Sequence, residues 1–189
     1  MEQKDKITIA GAGLVGSLLS IILAKKGYQV DIYERRPDLR KTVIDGGRSI
    51  NLALSDRGWK ALKIAGIEDE IRQNAIPMKG RVIHDMEGNT SFQPYGEEGQ
   101  AIYSVSRSGL NALLMNEAEK TGKVQIHFDA KCEDVNLETG SATFKNYLSG
   151  EEKEVEADLL LGTDGAFSAV RTAMQKTDRF SYSQEYIEH

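Results

Sequence analysis

The stretch Ile7-Thr8-Ile9-Ala10-Gly11-Ala12-Gly13-Leu14-Val15-Gly16 constrains this chain more than any other. Its first four residues read as a short apolar strand, and its three glycines stand at the G-x-G-x-x-G spacing of a tight turn. Leu18, Leu19, Ile21, Ile22 and Leu23 follow. That run is apolar nearly all round, which predicts a buried helix reaching about Lys26 and stopped by Gly27. Val30 to Tyr33 forms the next strand, with Glu34 at its end. Strand, helix and strand in about thirty residues make a βαβ unit whose two strands run parallel.

Eighteen glycines place some at this spacing by chance, so the context carries the weight. The motif follows a strand, opens a helix and has an acid at the end of the second strand. Gly11 permits the turn, Gly13 lets the backbone approach a pyrophosphate, and Gly16 lets helix pack on strand. The helix start offers N–H groups to phosphates, and Glu34 can accept from the hydroxyls of an adenosine ribose. The competing reading is a turn that serves packing only. Dinucleotide binding is the stronger one, and the motif alone leaves FAD and NAD(H) both open.

Composition narrows the field by exclusion. A formal charge of −5 argues against a general nucleic-acid surface. No apolar run is long enough to cross a bilayer. The single cysteine, Cys132, excludes an internal disulfide and a multi-cysteine metal site, and His84, His127 and His189 lack metal-ligand spacing. The sequence predicts no metal, no membrane segment and no nucleic-acid partner, and a reducing cytoplasm fits it best.

Ile50, Leu52 and Leu54 alternate with Ser49, Asn51, Ala53 and Ser55, the period of a half-buried strand. Arginines stand at both ends, Arg48 and Arg57. A helix ending at Gly66 and a short one over 68–74 are expected next, then short strands and turns over 81–103. Leu110, Leu113, Leu114 and Ala118 give a helical stripe, with Ser106 as N-cap and Gly122 as stop. Strand 124–128 precedes an antiparallel meander over 131–137, 141–147 and 153–155, with turns at Thr139-Gly140 and Ser149-Gly150. Leu159-Leu160-Leu161-Gly162 reads as a central strand, followed by Thr163-Asp164-Gly165 and a helix through Arg171.

Two of these corners bear on a ligand. Arg107 opens a helix, where a cation opposes the dipole unless an anion lies near. Asp164 sits in a second strand–turn–helix, where a plain helix cap is the alternative. Two such corners and several turn arginines suggest one long ligand laid across a sheet.

The glycine motif with Glu34, the Arg107 helix start and Gly162-Thr163-Asp164-Gly165 together resemble the N-terminal motifs of the flavin-dependent aromatic hydroxylase family. GRSINLALS (47–55), IPMKGRVIH (76–84), QPYG (93–96), YSVSRSGLN (103–111) and FSYSQEYIEH (180–189) are similar to its kynurenine-hydroxylating branch. The resemblance implies an α/β fold: a Rossmann-type FAD-binding domain, glutathione-reductase-like, with a parallel central sheet and a small antiparallel β meander. It implies bound FAD, NADPH as co-substrate, and O2 used through a flavin C4a-hydroperoxide to hydroxylate L-kynurenine at ring position 3. No catalytic nucleophile is required of the protein, whose task is to orient flavin and substrate and exclude water.

Carried over by motif, Gly13 and Val15 lie against the pyrophosphate, with Gly11 and Gly16 counted among the cofactor-binding residues as the frame of the turn, and Tyr33, Glu34 and Arg36 frame the adenosine ribose. Ala53 lines the flavin side, Arg107 meets the pyrophosphate, Cys132 contacts adenine through its backbone, and Asp164 binds a ribityl or phosphate-linked hydroxyl. Arg81 and Tyr95 match the family's substrate residues, a guanidinium fork suiting an α-carboxylate. Neither Arg48 nor Arg57 receives a specific contact.

Members of the family are more than twice this length, so residues 1–189 are expected to be the N-terminal part of an FAD-binding domain. The start of a substrate-binding portion falls around 76–103. Two alternatives remain at this point: a non-catalytic FAD-binding fragment and, more weakly, a NAD-dependent dehydrogenase.

Overall fold

The computed structural model describes residues 6–41, 50–178 and 180–183. Gly47, Arg48 and Ser49 of the arginine-flanked strand lie outside them, as do Tyr186 to His189. In chain order the elements are β1 (Lys6–Ala10), α1 (Leu14–Lys25), β2 (Gln29–Tyr33), β3 (Asn51–Leu54), α2 (Asp56–Ala65) and α3 (Glu68–Arg72). There follow β4 (Ile76–Met78), β5 (Gly80–His84), β6 (Thr90–Pro94), β7 (Ile102–Ser106) and α4 (Arg107–Lys120). The last are β8 (Val124–His127), β9 (Ala130–Asn136), β10 (Ser141–Asn146), β11 (Glu152–Val155), β12 (Leu159–Gly162) and α5 (Ala169–Gln175). Two compact units result, one from 1–43 with 114–189 and the other from 44–113.

The first unit holds a four-stranded sheet in the order β12-β1-β2-β8, with all three pairings parallel. Ile7, Ile9, Val30 and Ile32 fill its core, as the βαβ reading requires. A three-stranded antiparallel meander, β11-β10-β9, stands where expected. Its two turns share one chemistry. Asn136 Oδ1 accepts from the N–H groups of Glu138 and Thr139, and Asn146 Oδ1 from those of Leu148 and Ser149. Gly140 and Gly150 then take the left-handed backbone, each at φ 75°. Phe144, Val135, Val155 and Cys132 pack with Ala10, Tyr33, Val170 and Ala173 in one cluster.

Two expectations for this unit are corrected. Only one stripe of α1 is buried, made of Gly16, Ser17, Ser20, Ile21 and Ala24, while Val15 is 67% exposed. The small residues are what let the helix lie close to its strands; the leucines sit to the sides, half-buried. Uniform apolarity in sequence therefore did not mean burial all round. Likewise, among the described residues β12 is an edge strand of this sheet rather than a central one, and Leu159 is 47% exposed. A triple leucine cannot report how many neighbours its strand has.

A polar cluster crosses the sheet. Asp31 on β2 accepts from Lys6 Nζ at 2.9 Å, and its other oxygen meets His127 Nε2 at 2.9 Å. Tyr33 stacks between the rings of His127, 4.5 Å away, and Phe144, 4.0 Å away. The His127 hydrogen bond, aided by Lys6 and opposed by burial, lowers the Asp31 carboxyl from 3.8 to about 2. A carboxyl depressed on folding stabilises the protein above its unfolded value and loses that contribution as pH falls between about 4 and 2. Asp31→Asn is expected to cost about 2 kcal/mol at pH 6, with the gap to the parent closing by pH 2. Urea unfolding at a series of pH values checks it, and a gap independent of pH would remove the pair from the stability balance.

The second unit pairs β3-β7-β4 antiparallel and sets β5 against β6 as a separate hairpin. The alternation across β3 is present, but Leu52 and Leu54 are only half-buried and Ile50 is 54% exposed. The expectation of a buried Ile50 is thus corrected: the residue lies just outside the paired strand, beyond the cover given by β7. Helix α2 ends on Gly66 in the left-handed region, φ 65°, as its position foretold. Ser106 caps α4 by accepting from the N–H of Gly109 at 3.2 Å, again as expected.

Candidate cofactor site

The three glycines of the first turn have different reasons to be glycine. Gly11 has φ +98°, and a Cβ there would lie 2.6 Å from the Thr163 carbonyl oxygen. A Cβ on Gly16 would lie 2.0 Å from the Gly11 carbonyl oxygen and 2.6 Å from Thr163 Oγ1. Internal packing therefore accounts for both. Gly13 is unlike them. Its φ of −71° is open to any residue, and a Cβ there would meet nothing within 4 Å. Nothing among the described residues forbids a side chain at Gly13, the N-cap of α1. Open space before a helix start is of the kind that an approaching phosphate group needs.

Glu34 is 4% exposed at the end of β2. Its Oε2 accepts from the Ala12 N–H at 2.9 Å, across the turn. Its Oε1 accepts from the Arg36 N–H at 3.0 Å and from Arg36 Nε at 2.9 Å. The carboxylate is thus bolted to the glycine turn on one side and to Arg36 on the other. Three of about four acceptor positions are taken, and the guanidinium that holds one of them is 58% exposed. The Tyr33 ring lies in the core stack described above, and the Tyr33 carbonyl accepts from the Gly11 N–H at 2.8 Å.

Thr163, which the sequence placed in the second turn without a role of its own, locks two corners together. Its N–H donates to the Ala10 carbonyl at 2.8 Å, and its Oγ1 reaches the carbonyls of Ala10 at 2.9 Å and Gly11 at 2.7 Å. Asp164, the next residue, accepts from Ser168 Oγ at 2.5 Å and from the Ala169 N–H at 2.7 Å. Ser168 in turn caps α5 through the Arg171 N–H at 3.0 Å. The helix-capping role weighed for Asp164 is therefore realised. Cys132 is buried on β9 close enough to feel the charge of Asp164, and burial above all pushes its thiol up to about 12. A thiol so raised is no nucleophile at neutral pH.

The remaining expected residues belong to the second unit. Ala53 is exposed on β3, opposite Ser104. Arg107 is exposed at the first position of α4, and its N–H donates to the Ile50 carbonyl at 3.0 Å. Arg57 is exposed in the first turn of α2. Arg81 and Tyr95 come from the β5–β6 hairpin: Arg81 Nε donates to Gln93 Oε1, its cross-strand partner, at 2.7 Å. Tyr95, two residues beyond Gln93, is 45% exposed and tied by its N–H to the Lys79 carbonyl at 3.0 Å. An apolar cavity of about 310 Å³ lies among Ile71, Val105, Leu110 and Leu113 of this unit, and none of the expected residues lines it.

Residues 4–186 match the family described as FAD binding domain. The chain belongs to that family. The parallel sheet, the antiparallel meander and the cofactor class implied by the sequence all agree with an FAD binding domain, which leaves the dehydrogenase alternative without support. Kynurenine 3-monooxygenase of Myxococcus xanthus is 48% identical over 188 residues, covering 99% of this chain and 40% of that protein. The enzyme of the same name from Sus scrofa is 46% identical over 190 residues, again covering 99% and 40%. The chain spans about two fifths of the length of the curated relatives it matches. Among solved structures, a mutant 2-methyl-3-hydroxypyridine-5-carboxylic acid oxygenase aligns at TM-score 0.71 and 26% identity, over 90% of this chain and 42% of that one. The flavin-dependent monooxygenase PieE, in complex with FAD and substrate, shares the fold of the FAD binding domain at TM-score 0.74 and 18% identity, over 90% of this chain and 32% of that one. Among the described residues no helix is long and apolar enough to cross a membrane, and no group of three or more His, Cys, Asp or Glu is placed to hold a metal ion.

Proposed function

We propose that this chain is the cofactor-holding portion of an FAD- and NADPH-dependent monooxygenase of the cytoplasm that hydroxylates L-kynurenine to 3-hydroxykynurenine with O2. The observation that carries the cofactor reading is the open, unconstrained position at Gly13, flanked by two glycines that packing explains. The substrate reading rests on the kynurenine 3-monooxygenases, 46–48% identical over nearly the whole chain. When bound, FAD supplies the redox chemistry, taking electrons from NADPH and activating O2.

The chain's own residues bind and orient. The N–H groups at Gly13 and Val15 receive the pyrophosphate. Glu34 accepts from a ribose hydroxyl with its remaining acceptor position, and Arg36, largely in water, can yield another. The carbonyl end of Tyr33, the wall at Cys132 and the Asp164 corner complete the first unit's share. Ala53 and Arg107 are assigned to the flavin side and to the pyrophosphate on the family resemblance. Arg81 takes the α-carboxylate of L-kynurenine. Gln93 engages Nε, which leaves the Nη1 and Nη2 edge as a fork for bidentate binding. Tyr95 adds a phenolic hydrogen bond. The 189 residues alone are expected to hold FAD without hydroxylating.

The test is kynurenine-stimulated NADPH oxidation by the protein at the full length of its relatives. Arg81→Ala is expected to raise the kynurenine KM by roughly 10- to 100-fold, the worth of a charged hydrogen bond. An unchanged KM would take Arg81 out of the site, and no stimulation by kynurenine in the parent enzyme would end the substrate reading.

A further inference from the structure

Among the described residues other than glycine, Asp129 alone has positive φ, at 57°. A residue with a side chain holds left-handed backbone only against a cost, which Asp and Asn bear better than most. Such residues persist where the surroundings hold them and cluster at sites that need a fixed geometry. Here the surroundings can be named. Asp129 lies in the turn between β8 and β9, and its N–H donates to the Arg36 carbonyl at 3.3 Å. One residue later, the Ala130 N–H donates to the Glu34 carbonyl at 2.9 Å. Two residues earlier, the His127 carbonyl accepts from the Glu34 N–H at 2.8 Å. The turn therefore grips both main-chain groups of Glu34 and the carbonyl of Arg36. Its other side is tied to the meander, where the Tyr147 N–H donates to the Asp129 carbonyl at 2.9 Å.

We propose that Asp129 is a positioning residue, whose left-handed turn holds Glu34 where its carboxylate can accept from ribose hydroxyls and so sets the preference for a ligand with an intact ribose. The inference rests on the ribose reading of Glu34. The phosphate corner shares one bond with Glu34, which accepts from the Ala12 N–H, but Thr163 Oγ1 holds it independently through the carbonyls of Ala10 and Gly11. Relaxing the Asp129 turn should therefore release the ribose carboxylate and leave the phosphate cradle in place. A side chain that cannot take positive φ would rotate the peptide and break the bonds to Arg36 and Glu34. Glycine and asparagine would keep them.

ADP and 2′,3′-dideoxy-ADP separate the two corners, because the second ligand has phosphates and no ribose hydroxyls. Calorimetric titration of the 189-residue chain is expected to show Asp129→Ala and Asp129→Val binding ADP about tenfold more weakly, with dideoxy-ADP affinity unchanged. Asp129→Gly and Asp129→Asn should bind both ligands as the parent does. Asp129→Ala keeps the test valid where valine prevents folding, and circular dichroism confirms the fold of each variant. Equal losses for both ligands, or an unchanged ADP affinity in Asp129→Ala, would overturn the proposal and leave the turn a merely structural role. Glu34→Gln supplies the control: if it fails to narrow the preference for ADP over dideoxy-ADP, the ribose reading itself falls. If it narrows that preference while Asp129→Ala does not, only the positioning role falls.

Discussion

Gly13→Val is expected to strip the protein of FAD while leaving it folded. The φ of −71° at Gly13 suits valine, and a Cβ there meets no atom within 4 Å, so the fold has no steric reason to object. The cost to the helix is that of a poorer N-cap, about 1 kcal/mol. The ligand fares differently. An isopropyl group would occupy the space through which phosphate oxygens reach the N–H groups of the first helical turn. Two charge-assisted hydrogen bonds lost together, each worth about 1.5–3 kcal/mol, amount to a hundredfold or greater loss of affinity. Flavin absorbance after dialysis, read beside a thermal melt, checks both halves. A variant that stays yellow would show that the pyrophosphate does not lie against this turn.

Gly16→Ala is expected to do the reverse and damage the fold itself. The added methyl would sit 2.0 Å from the Gly11 carbonyl oxygen and 2.6 Å from Thr163 Oγ1. Neither can retreat cheaply. The carbonyl belongs to the turn that Thr163 Oγ1 holds at 2.7 Å, and the same hydroxyl also binds the Ala10 carbonyl. Helix α1 would have to move off its strands, opening the close contact that Ser17, Ser20 and Ala24 provide. The expected loss is at least about 3 kcal/mol of unfolding free energy, large for one methyl and of the overpacking kind. Urea unfolding measures it. A loss under about 1 kcal/mol would mean that the turn has slack enough to take a methyl group.

The contrast between these glycines shows how far the sequence could be read. Periodicity and turn residues were enough to locate the βαβ unit, the meander, the α2 stop at Gly66 and the Ser106 cap, because each depends on neighbours a few residues away. Three glycines spaced correctly do not say which one serves packing and which faces open space; that depends on Thr163, some 150 residues later. The Asp31–His127 pair was hidden for the same reason, its members lying 96 residues apart on adjacent strands. The Asp129 turn left only a faint sign, an aspartate between two strands. Apolar runs misled twice, in α1 and β12, since hydrophobicity records a tendency to be covered and not the number of faces that are.

The pairing of β1 with β12 also governs when the molecule can take shape. Ile7 lies beside Leu159 and Ala10 beside Gly162, so β1 has its neighbour on this side only after β12, some 150 residues later, has left the ribosome. The intervening second unit, with its own sheet and hairpin, emerges complete before that happens. Strand β1 finds β2 early and β12 late, a long-range closure of the kind that makes parallel sheets slow to assemble.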